Sequence, residues 1–278
     1  MKRKIYNELV NWKNKSGRMP LIVNGARQVG KSYILQEFGK QEFDNLIMVN
    51  LEVDKALVER FEENIAPTTI IQYLESAHSQ RIIPNKTLIV FDEIQACERA
   101  LTSLKYFCEQ APEYHVIAAG SLLGVAINRQ KYSFPVGKVN EMTLFPMDFE
   151  EFLWALDMEK IANLIREHYN SNEPLNVHSI AIDFYNKYLI VGGMPAAVKE
   201  FINTGSFAAV ADIQNRILNE YIADMAKYAE PSTSVKIRAC YESIPAQLAK
   251  ENHKFQYNVV QKGGSTTDRK STRLNSSH

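Results

Sequence analysis

The stretch Gly25-Ala26-Arg27-Gln28-Val29-Gly30-Lys31-Ser32 decides the fold that this sequence predicts. It fits the pattern G-x-x-x-x-G-K-[ST] at every fixed position, and it directly follows the apolar run at residues 20–23. This pattern is typical of a phosphate-binding loop between a strand and a helix. A chance match is the alternative, but the strand before the stretch and the helix predicted over residues 32–38 favour the phosphate loop.

The fixed positions of the loop each have a chemical reason. Gly25 and Gly30 lack a Cβ, so the chain can turn tightly and wrap backbone N–H groups around phosphates. Lys31 supplies a cation for the β- and γ-phosphates, the Ser32 hydroxyl is a ligand for Mg2+, and the helix dipole favours the anion. The residues that we expect to bind the nucleotide are Gly25, Ala26, Arg27, Gln28, Val29, Gly30, Lys31, Ser32, Tyr33 and Asp92.

A second motif supplies the acids that this chemistry needs. Residues 87–93 form a continuous apolar, β-branched run that ends in Asp92 and Glu93. This run predicts a parallel strand that is buried on both faces and carries its functional groups at its C-terminal end. Asp92 is expected to hold Mg2+, directly or through water, and Glu93 to polarise the attacking water. A core strand followed by an ordinary acidic turn is the alternative, which the phosphate loop upstream disfavours.

The rest of the first half alternates between strand and helix patterns. Further strands are predicted at residues 46–51, 115–119 and 139–144, and helices at 58–65, at 69–77 and around 101–108. Alternation of this kind indicates a doubly wound α/β sheet. Ser121 follows the strand at 115–119, where its hydroxyl can sense the γ-phosphate or cap a helix. Both roles stay open for Ser121.

The chain changes character after residue 146. Asp148 as N-cap and Glu151 three residues later form a capping-box signature, which predicts a helix start and a domain boundary. Helical patterns continue to about residue 228, apart from the short apolar run at 188–191. The glycines at 192 and 193 then break a helix, either as a hinge or as a plain loop.

Composition sets limits on the class of protein. The chain has 278 residues, 45% of them hydrophobic and 23% charged, as expected for a globular protein with two modest domains. Its formal net charge of zero neither indicates nor excludes nucleic-acid binding. Cys97, Cys108 and Cys240 show no metal-ligand spacing and suit a reducing cytoplasm. We expect neither a signal peptide nor a membrane span, because no stretch approaches about 18 apolar residues.

Together these motifs resemble the AAA-type ATPases of bacteria and archaea that carry a poorly characterised C-terminal domain with a nuclease-like fold. The resemblance covers residues 1–260 and rests on the stretches at 25–32, 91–95, 104–107, 119–124, 134–139 and 192–195. It implies a P-loop core with an extra strand between the phosphate-loop strand and the Asp92 strand, a helical lid, ATP with Mg2+, and Ser121 as sensor. The subunit-contact arginine is not settled by it. Lys138 lies where relatives often have arginine, and Arg129 is a candidate by position only.

The resemblance also sets the expected domain organisation. We expect a P-loop ATPase core at residues 1–146 and a helical lid at 147–230. Residues 231–267 are expected to begin a winged-helix-like segment that is truncated, because the relatives continue into the nuclease-like domain. The last eleven residues, 268–278, resemble a translated sequencing adapter and are expected to be a non-native tail without a packed role.

Three functions are compatible with these motifs. The first is a Mg2+-dependent ATPase with Lys31, Glu93 and Ser121 as catalytic residues, which couples its nucleotide state to a missing C-terminal effector domain. A DNA-associated ATPase is an alternative form of this function. The second is a nucleotide-gated switch or scaffold with little turnover, which the Asp92–Glu93 pair disfavours. The third is a small-molecule kinase, which the same pair and the element ending in Ser121 disfavour. Expected partners are the nucleotide, a nucleic acid or protein that binds through the missing region, and further copies in an oligomer.

Overall fold

The computed structural model of the protein describes residues 1–121, 135–227 and 231–249. Within them the chain is α/β, with a five-stranded sheet flanked by helices. The strands are β1 (Leu21–Gly25), β2 (Asn45–Asn50), β3 (Thr87–Asp92), β4 (His115–Ser121) and β5 (Asn140–Leu144). Their order is β2-β3-β4-β1-β5, and every neighbouring pair is parallel. The predicted parallel α/β sheet is confirmed, and β4 is the extra strand between β1 and β3.

The described residues contain eleven α-helices, five that precede β4 and six that follow β5. The first group consists of α1 (Ile5–Asn14), α2 (Lys31–Glu42), α3 (Lys55–Glu63), α4 (Pro67–His78) and α5 (Glu98–Gln110). The second group consists of α6 (Phe149–Ala155), α7 (Glu159–Ser171), α8 (His178–Val191), α9 (Pro195–Thr204), α10 (Phe207–Lys227) and α11 (Pro231–Leu248). A single 3₁₀ turn, Ile94–Ala96, follows β3.

Two apolar cores lie on opposite faces of the sheet. Strands β1, β3 and β4 are buried along their whole length, so successive side chains enter alternate cores. One core combines sheet residues with α1 and α2, including Leu9, Trp12 and Phe38. The other combines the opposite face with α3, α4 and α5, including Phe61 and Phe107. Apolar burial on both faces is the reason why these strands are continuous apolar runs in the sequence.

Local sequence signals account for the starts of three helices, α3, α4 and α6. Asp54 caps α3 by accepting a hydrogen bond from the Leu57 N–H at 2.9 Å, and Pro67 occupies the first turn of α4, so both helices begin earlier than the apolar pattern predicted. The predicted capping box before α6 is confirmed. The Asp148 carboxylate accepts from the Glu151 N–H at 2.9 Å, and the Asp148 N–H donates to Glu151 Oε2 at 3.4 Å.

One local expectation needs correction. The strand-like run at residues 188–191 is the last turn of α8, because the helix continues to Val191 and ends where Gly192 takes a φ of 72°. The two glycines therefore do break a helix, as predicted. No strand occurs between residues 147 and 227, which agrees with the predicted helical region.

The chain divides into two compact units, Met1–Ala211 and Asp212–His278. The predicted boundaries after residues 146 and 230 fall inside these units and stay predictions. Helix α11 covers the first part of the predicted winged-helix-like segment, and the remainder of it, with the predicted tail, lies outside the described residues. Among the helices that the structure describes, none is both long enough and apolar enough to cross a bilayer.

His115 begins β4 as a buried neutral histidine, 4% exposed. The Arg18 guanidinium lies 3.0 Å from Nδ1, and because a guanidinium can only donate, Nδ1 accepts and carries no proton. The rings of Trp12 and Phe43 meet the imidazole edge-on at centroid distances of 5.8 and 4.9 Å. Burial, with the charges of Arg18 and Lys13 as smaller causes, lowers the pKa of His115 from 6.5 to about 4.

This pKa predicts a pH-dependent stability. Below pH 6.5 the unfolded chain binds a proton at His115, whereas the folded chain binds it only below about pH 4. The contribution of His115 to the free energy of unfolding is therefore fully present above pH 6.5 and is lost as the pH falls from 6.5 to 4. At about 1.4 kcal/mol per pKa unit the loss is on the order of 3 kcal/mol. His115→Asn, which keeps an acceptor for Arg18, should flatten the urea-unfolding profile between pH 6.5 and 4. The exposed control His178→Asn should leave that slope unchanged, and an unaltered slope in His115→Asn would contradict the prediction.

Candidate functional site

The site lies at the C-terminal edge of the sheet, where β1, β3 and β4 end side by side. Parallel pairing places Gly25 opposite Ser121, and β4 in turn lies beside β3, which ends at Asp92. The sequence predicts that these groups lie at one edge of the sheet, and the observed strand register places them side by side. An open cleft with a volume of about 170 Å3 lies over this edge. It is lined by Arg27, Gln28, Gly30, Lys31, Ser32, Tyr33, Glu93, Gln95 and Ser121.

Gly25 is required for a different reason from the one expected. It is the last residue of β1 and lies in regular strand, so it does not provide the turn. A Cβ at this position would lie 2.5 Å from the Leu144 carbonyl oxygen of β5 and 3.1 Å from a Val29 methyl carbon. The turn is made by Gln28, with a φ of 66°, and by Gly30, with a φ of 94°. Gly25 therefore allows the close approach of β5, and Gly30 alone of the two glycines provides the left-handed conformation.

Lys31 is buried, 8% exposed, and its ammonium lies across the loop. Nζ donates to the carbonyl oxygens of Gly25 at 3.0 Å and Ala26 at 2.9 Å. These bonds tie the side chain of the first residue of α2 back to the start of the loop. The positive end of the helix and the ammonium thus act on the same small volume.

Ser32 and Asp92, the two predicted ligands of Mg2+, are in direct contact. Ser32 Oγ donates to Asp92 Oδ2 at 2.6 Å, and Asp92 Oδ1 accepts from the Glu93 N–H at 3.0 Å. Asp92 is 6% exposed. A hydroxyl and one carboxylate are hard oxygen donors, and Mg2+ commonly takes one or two carboxylates together with phosphate oxygens and water. The donor set therefore fits Mg2+. No cluster of three or more His, Cys, Asp or Glu side chains that could hold a metal occurs among the described residues.

Glu93 stands in a strained conformation at the wall of the cleft. Its φ and ψ of 54° and 47° are left-handed, which costs a residue with a Cβ about 1–2 kcal/mol. The conformation turns the chain sharply from β3 into the 3₁₀ turn and brings Gln95 back towards Glu93. Gln95 Nε2 donates to Glu93 Oε2, which fixes the carboxylate. Gln95 was not among the predicted site residues, because a glutamine two positions after an acid carries no recognisable signal on its own.

The remaining predicted residues divide between the cleft and its support. Ser121 is 8% exposed and Tyr33 is 53% exposed, and both line the cleft. Four predicted residues are not part of the cleft lining and instead contact residues of the site: Gly25 and Ala26 through their carbonyl oxygens to Lys31, Asp92 through its carboxylate to Ser32, and Val29 through its carbonyl oxygen to Arg3. Lys138 pairs with Glu109 at 3.0 Å, and Arg129 lies outside the described residues.

The turn at residues 192–195, named here the glycine–proline turn, lies against the phosphate loop. A Cβ on Gly30 would lie 3.8 Å from the Pro195 ring, and Met194 packs against the core that contains Val29. The Gly193 carbonyl accepts from the Met147 N–H at 2.7 Å. Tyr188 of α8 in turn donates its hydroxyl to the Met147 carbonyl at 2.9 Å. The phosphate loop, the segment before α6, the C-terminus of α8 and the N-terminus of α9 therefore meet at one junction.

Sequence comparison identifies two regions. A family model described as "AAA domain" matches residues 17–153, and a second one, described as a domain of unknown function, matches residues 182–273. The first contains every predicted site residue. The second runs through the boundaries that were predicted after residues 230 and 267. No curated protein matches the chain.

Comparison with solved structures gives distant similarities. The Aeropyrum pernix ORC2 protein, solved in ADPNP–ADP complexes, is 13% identical with a TM-score of 0.38, over 58% of this chain and 52% of that one. The C. elegans protein PCH-2 is 10% identical with a TM-score of 0.41, over 77% and 69%. Drosophila ORC bound to DNA is 15% identical with a TM-score of 0.41, over 95% and 74%. This chain thus spans about half the length of the ORC2 protein.

The junction predicts unequal effects of two adjacent glycines. In Gly193→Ala the new Cβ would lie 2.0 Å from the Met147 carbonyl oxygen and 2.8 Å from its nitrogen, so the 2.7 Å hydrogen bond must break. We expect a loss of about 3 kcal/mol or more in the free energy of unfolding, at the upper end of overpacking effects. In the comparison variant, Gly192→Ala, the new Cβ meets open space, but a φ of 72° with a ψ of −172° lies in a backbone region that is essentially restricted to glycine. We therefore expect a smaller loss, on the order of 1–3 kcal/mol, from backbone strain alone. Equal losses of the two variants in guanidinium unfolding would refute this steric requirement at Gly193.

Proposed function

With an AAA domain at residues 17–153 as the premise, we propose that the protein binds ATP together with Mg2+ and hydrolyses it. The observation that carries the proposal is the 2.6 Å contact between Ser32 Oγ and Asp92 Oδ2, with Glu93 next in the chain on the wall of the cleft. Two hard oxygen ligands and a carboxylate base thus lie beside a loop that holds a lysine. Phosphoryl transfer needs this combination, because its catalysis is mostly positioning and electrostatic stabilisation.

The residues of the loop act on the phosphates. Gly30 and the first turn of α2 offer backbone N–H groups, and Lys31 offers an ammonium in a site with little exposure to water. Bound Mg2+ would neutralise part of the phosphate charge. Ser32 and Asp92 would hold that ion from the side of β3, and Ser121 at the end of β4 would contact the terminal phosphate.

Glu93 accepts the proton of the attacking water in this proposal. Its backbone conformation holds the carboxyl group at the wall of the cleft, one residue beyond Asp92. A carboxylate next to the metal ligand is positioned to orient water and to take its proton as the bond to phosphorus forms. Oε2 of Glu93 accepts a hydrogen bond from Gln95, so that bond would have to break before Oε2 could accept a proton from the water. Oε1 is the other oxygen of the carboxylate that could accept it.

A second candidate, a nucleotide-gated switch with little turnover, is favoured by that same contact. A carboxylate whose Oε2 is held by Gln95 is a slower base than one that faces water directly. In this candidate the nucleotide acts through the glycine–proline turn on α8 and α9. Coupling to a C-terminal effector domain, binding of nucleic acid and assembly into an oligomer stay predictions in both cases.

Nucleotide binding should depend on Lys31. Lys31→Ala removes a charged donor whose contact with phosphate is worth about 2 kcal/mol or more, so ATP affinity should fall at least about thirtyfold. Isothermal calorimetry with ATP and Mg2+ measures this directly. Lys40→Ala, on the exposed face of the same helix, is the matched control and should bind like the parent. Equal affinity of the parent and folded Lys31→Ala would refute the phosphate-loop assignment.

Hydrolysis should depend on Glu93. Glu93→Gln keeps the shape and loses the base, so it should still bind ATP while multiple-turnover phosphate release falls by roughly a hundredfold or more. Glu59→Gln, on the exposed face of α3, is the control. If Glu93→Gln releases phosphate at the parental rate, the base lies elsewhere. A parent that binds ATP but releases no phosphate over several turnovers would favour the switch.

A further inference from the structure

Arg3, near the N-terminus and far from the phosphate loop in sequence, is buried behind that loop with 6% exposure. Its guanidinium makes three hydrogen bonds in three directions. Nη1 donates to the Val29 carbonyl oxygen at 3.0 Å, Nη2 to the Phe145 carbonyl oxygen at 2.5 Å, and Nε to Glu151 Oε2 at 3.1 Å. One side chain thus connects the phosphate loop, the chain just after β5 and the first turn of α6.

The bond to Val29 determines the orientation of a group that faces the cleft. In a trans peptide the carbonyl of one residue and the N–H of the next point in opposite directions and cannot turn independently. Arg3 holds the Val29 carbonyl towards the back of the loop, so the Gly30 N–H is held in the opposite direction, on the cleft side where Gly30 lies. Gly30 has no Cβ and a left-handed φ of 94°, so little else in the residue restrains this peptide plane.

Glu151 holds Arg3 in place and is itself held. Its side chain is 6% exposed, Oε1 accepts from the Lys4 N–H at 2.6 Å, and Oε2 takes both Arg3 Nε and the Asp148 N–H. The carboxylate that completes the capping box of α6 therefore also anchors the N-terminal segment. A lysine at position 3 would keep the charge but would lack the planar fork that reaches three acceptors at once.

We propose that Arg3 is a positioning residue for phosphate binding, which holds the Gly30 N–H towards the phosphates through the Val29 carbonyl and connects that peptide to α6 through Glu151. The inference rests on the proposed nucleotide function. Arg3 itself touches no phosphate, since it lies on the far side of the Val29–Gly30 peptide.

The competing explanation is that Arg3 and Glu151 form an ion pair that only stabilises the fold. Substitution of Arg3 alone does not separate this explanation from the positioning role. Removal of one partner leaves a buried charge without its counter-ion, which destabilises a protein whatever else the pair does. The test therefore needs variants in which no unpaired charge is left. Arg3→Lys keeps the charge, and the double variant Arg3→Met with Glu151→Gln removes both charges while glutamine preserves the capping box.

The experiment compares the stability and the phosphate affinity of the full chain. Calorimetry with Mg2+ measures binding of ATP and of tripolyphosphate, which has no base or sugar, and urea unfolding measures stability. The matched control is Arg166→Met on α7, which removes an exposed partner of Glu150, the residue next to Glu151 on α6. We expect both Arg3 variants to bind each ligand roughly tenfold or more weakly, as for one lost hydrogen bond to a charged group, with the control unchanged.

The outcomes separate this inference from the function on which it rests. If the parent binds ATP and the folded Arg3 variants bind ATP and tripolyphosphate as well as the parent, the positioning role is wrong and the ATP site stands. If both Arg3 variants fail to fold, Arg3 serves stability and the positioning role is likewise wrong. If the parent itself binds neither ligand, the proposed function fails and this inference fails with it. Weaker binding of both ligands by variants that unfold near the parental urea midpoint supports the proposal.

Discussion

A loop that turns its backbone N–H groups towards an anion turns carbonyl oxygens away from it, and buried carbonyls need donors of their own. Much of the structure around this loop supplies those donors. Lys31 Nζ serves the Gly25 and Ala26 carbonyls, Arg3 serves Val29, and the Ile34 N–H in α2 serves Gly30 at 3.0 Å. The N-terminal segment and α6 are therefore connected to the loop by the chemistry of its hidden face, while the ligand side is left to the cleft.

The second constraint is steric and acts at two glycines. Gly25 lets the β5 backbone come within 2.5 Å of where a Cβ would be, and Gly193 does the same for Met147 at 2.0 Å. These two approaches hold the loop between β5 on one side and the glycine–proline turn on the other, with Pro195 over Gly30. Because Tyr188 of α8 is bonded to the same Met147 and Pro195 of α9 lies over Gly30, a displacement of the loop would be transmitted to α8 and α9 through close-packed neighbours.

Sequence alone could predict the parts of the site that depend on local order. The phosphate loop, the acids after β3 and the capping box at Asp148 and Glu151 are short patterns whose geometry follows from spacing, and parallel strands then bring their C-terminal ends together. The contacts of Arg3 could not be predicted, because its partners lie 26, 142 and 148 residues away and no local pattern marks them. The true reason for a glycine at position 25 could not be predicted either. The backbone that approaches it, at Leu144, belongs to β5, which is distant in sequence.

The backbone at Glu93 links the stability of the sheet to its chemistry. A left-handed glutamate costs about 1–2 kcal/mol, and it persists because β3 is buried on both faces and the Asp92 carboxylate accepts the Glu93 N–H at 3.0 Å. If Asp92 rotated to release that N–H, it would also release Ser32, which shares the same carboxylate at 2.6 Å. The proposed metal ligands and the proposed base are thus parts of one hydrogen-bonded unit. A change at any one of Ser32, Asp92 or Glu93 should therefore alter the geometry of the other two, so their substitutions are expected to be strongly non-additive in both binding and turnover.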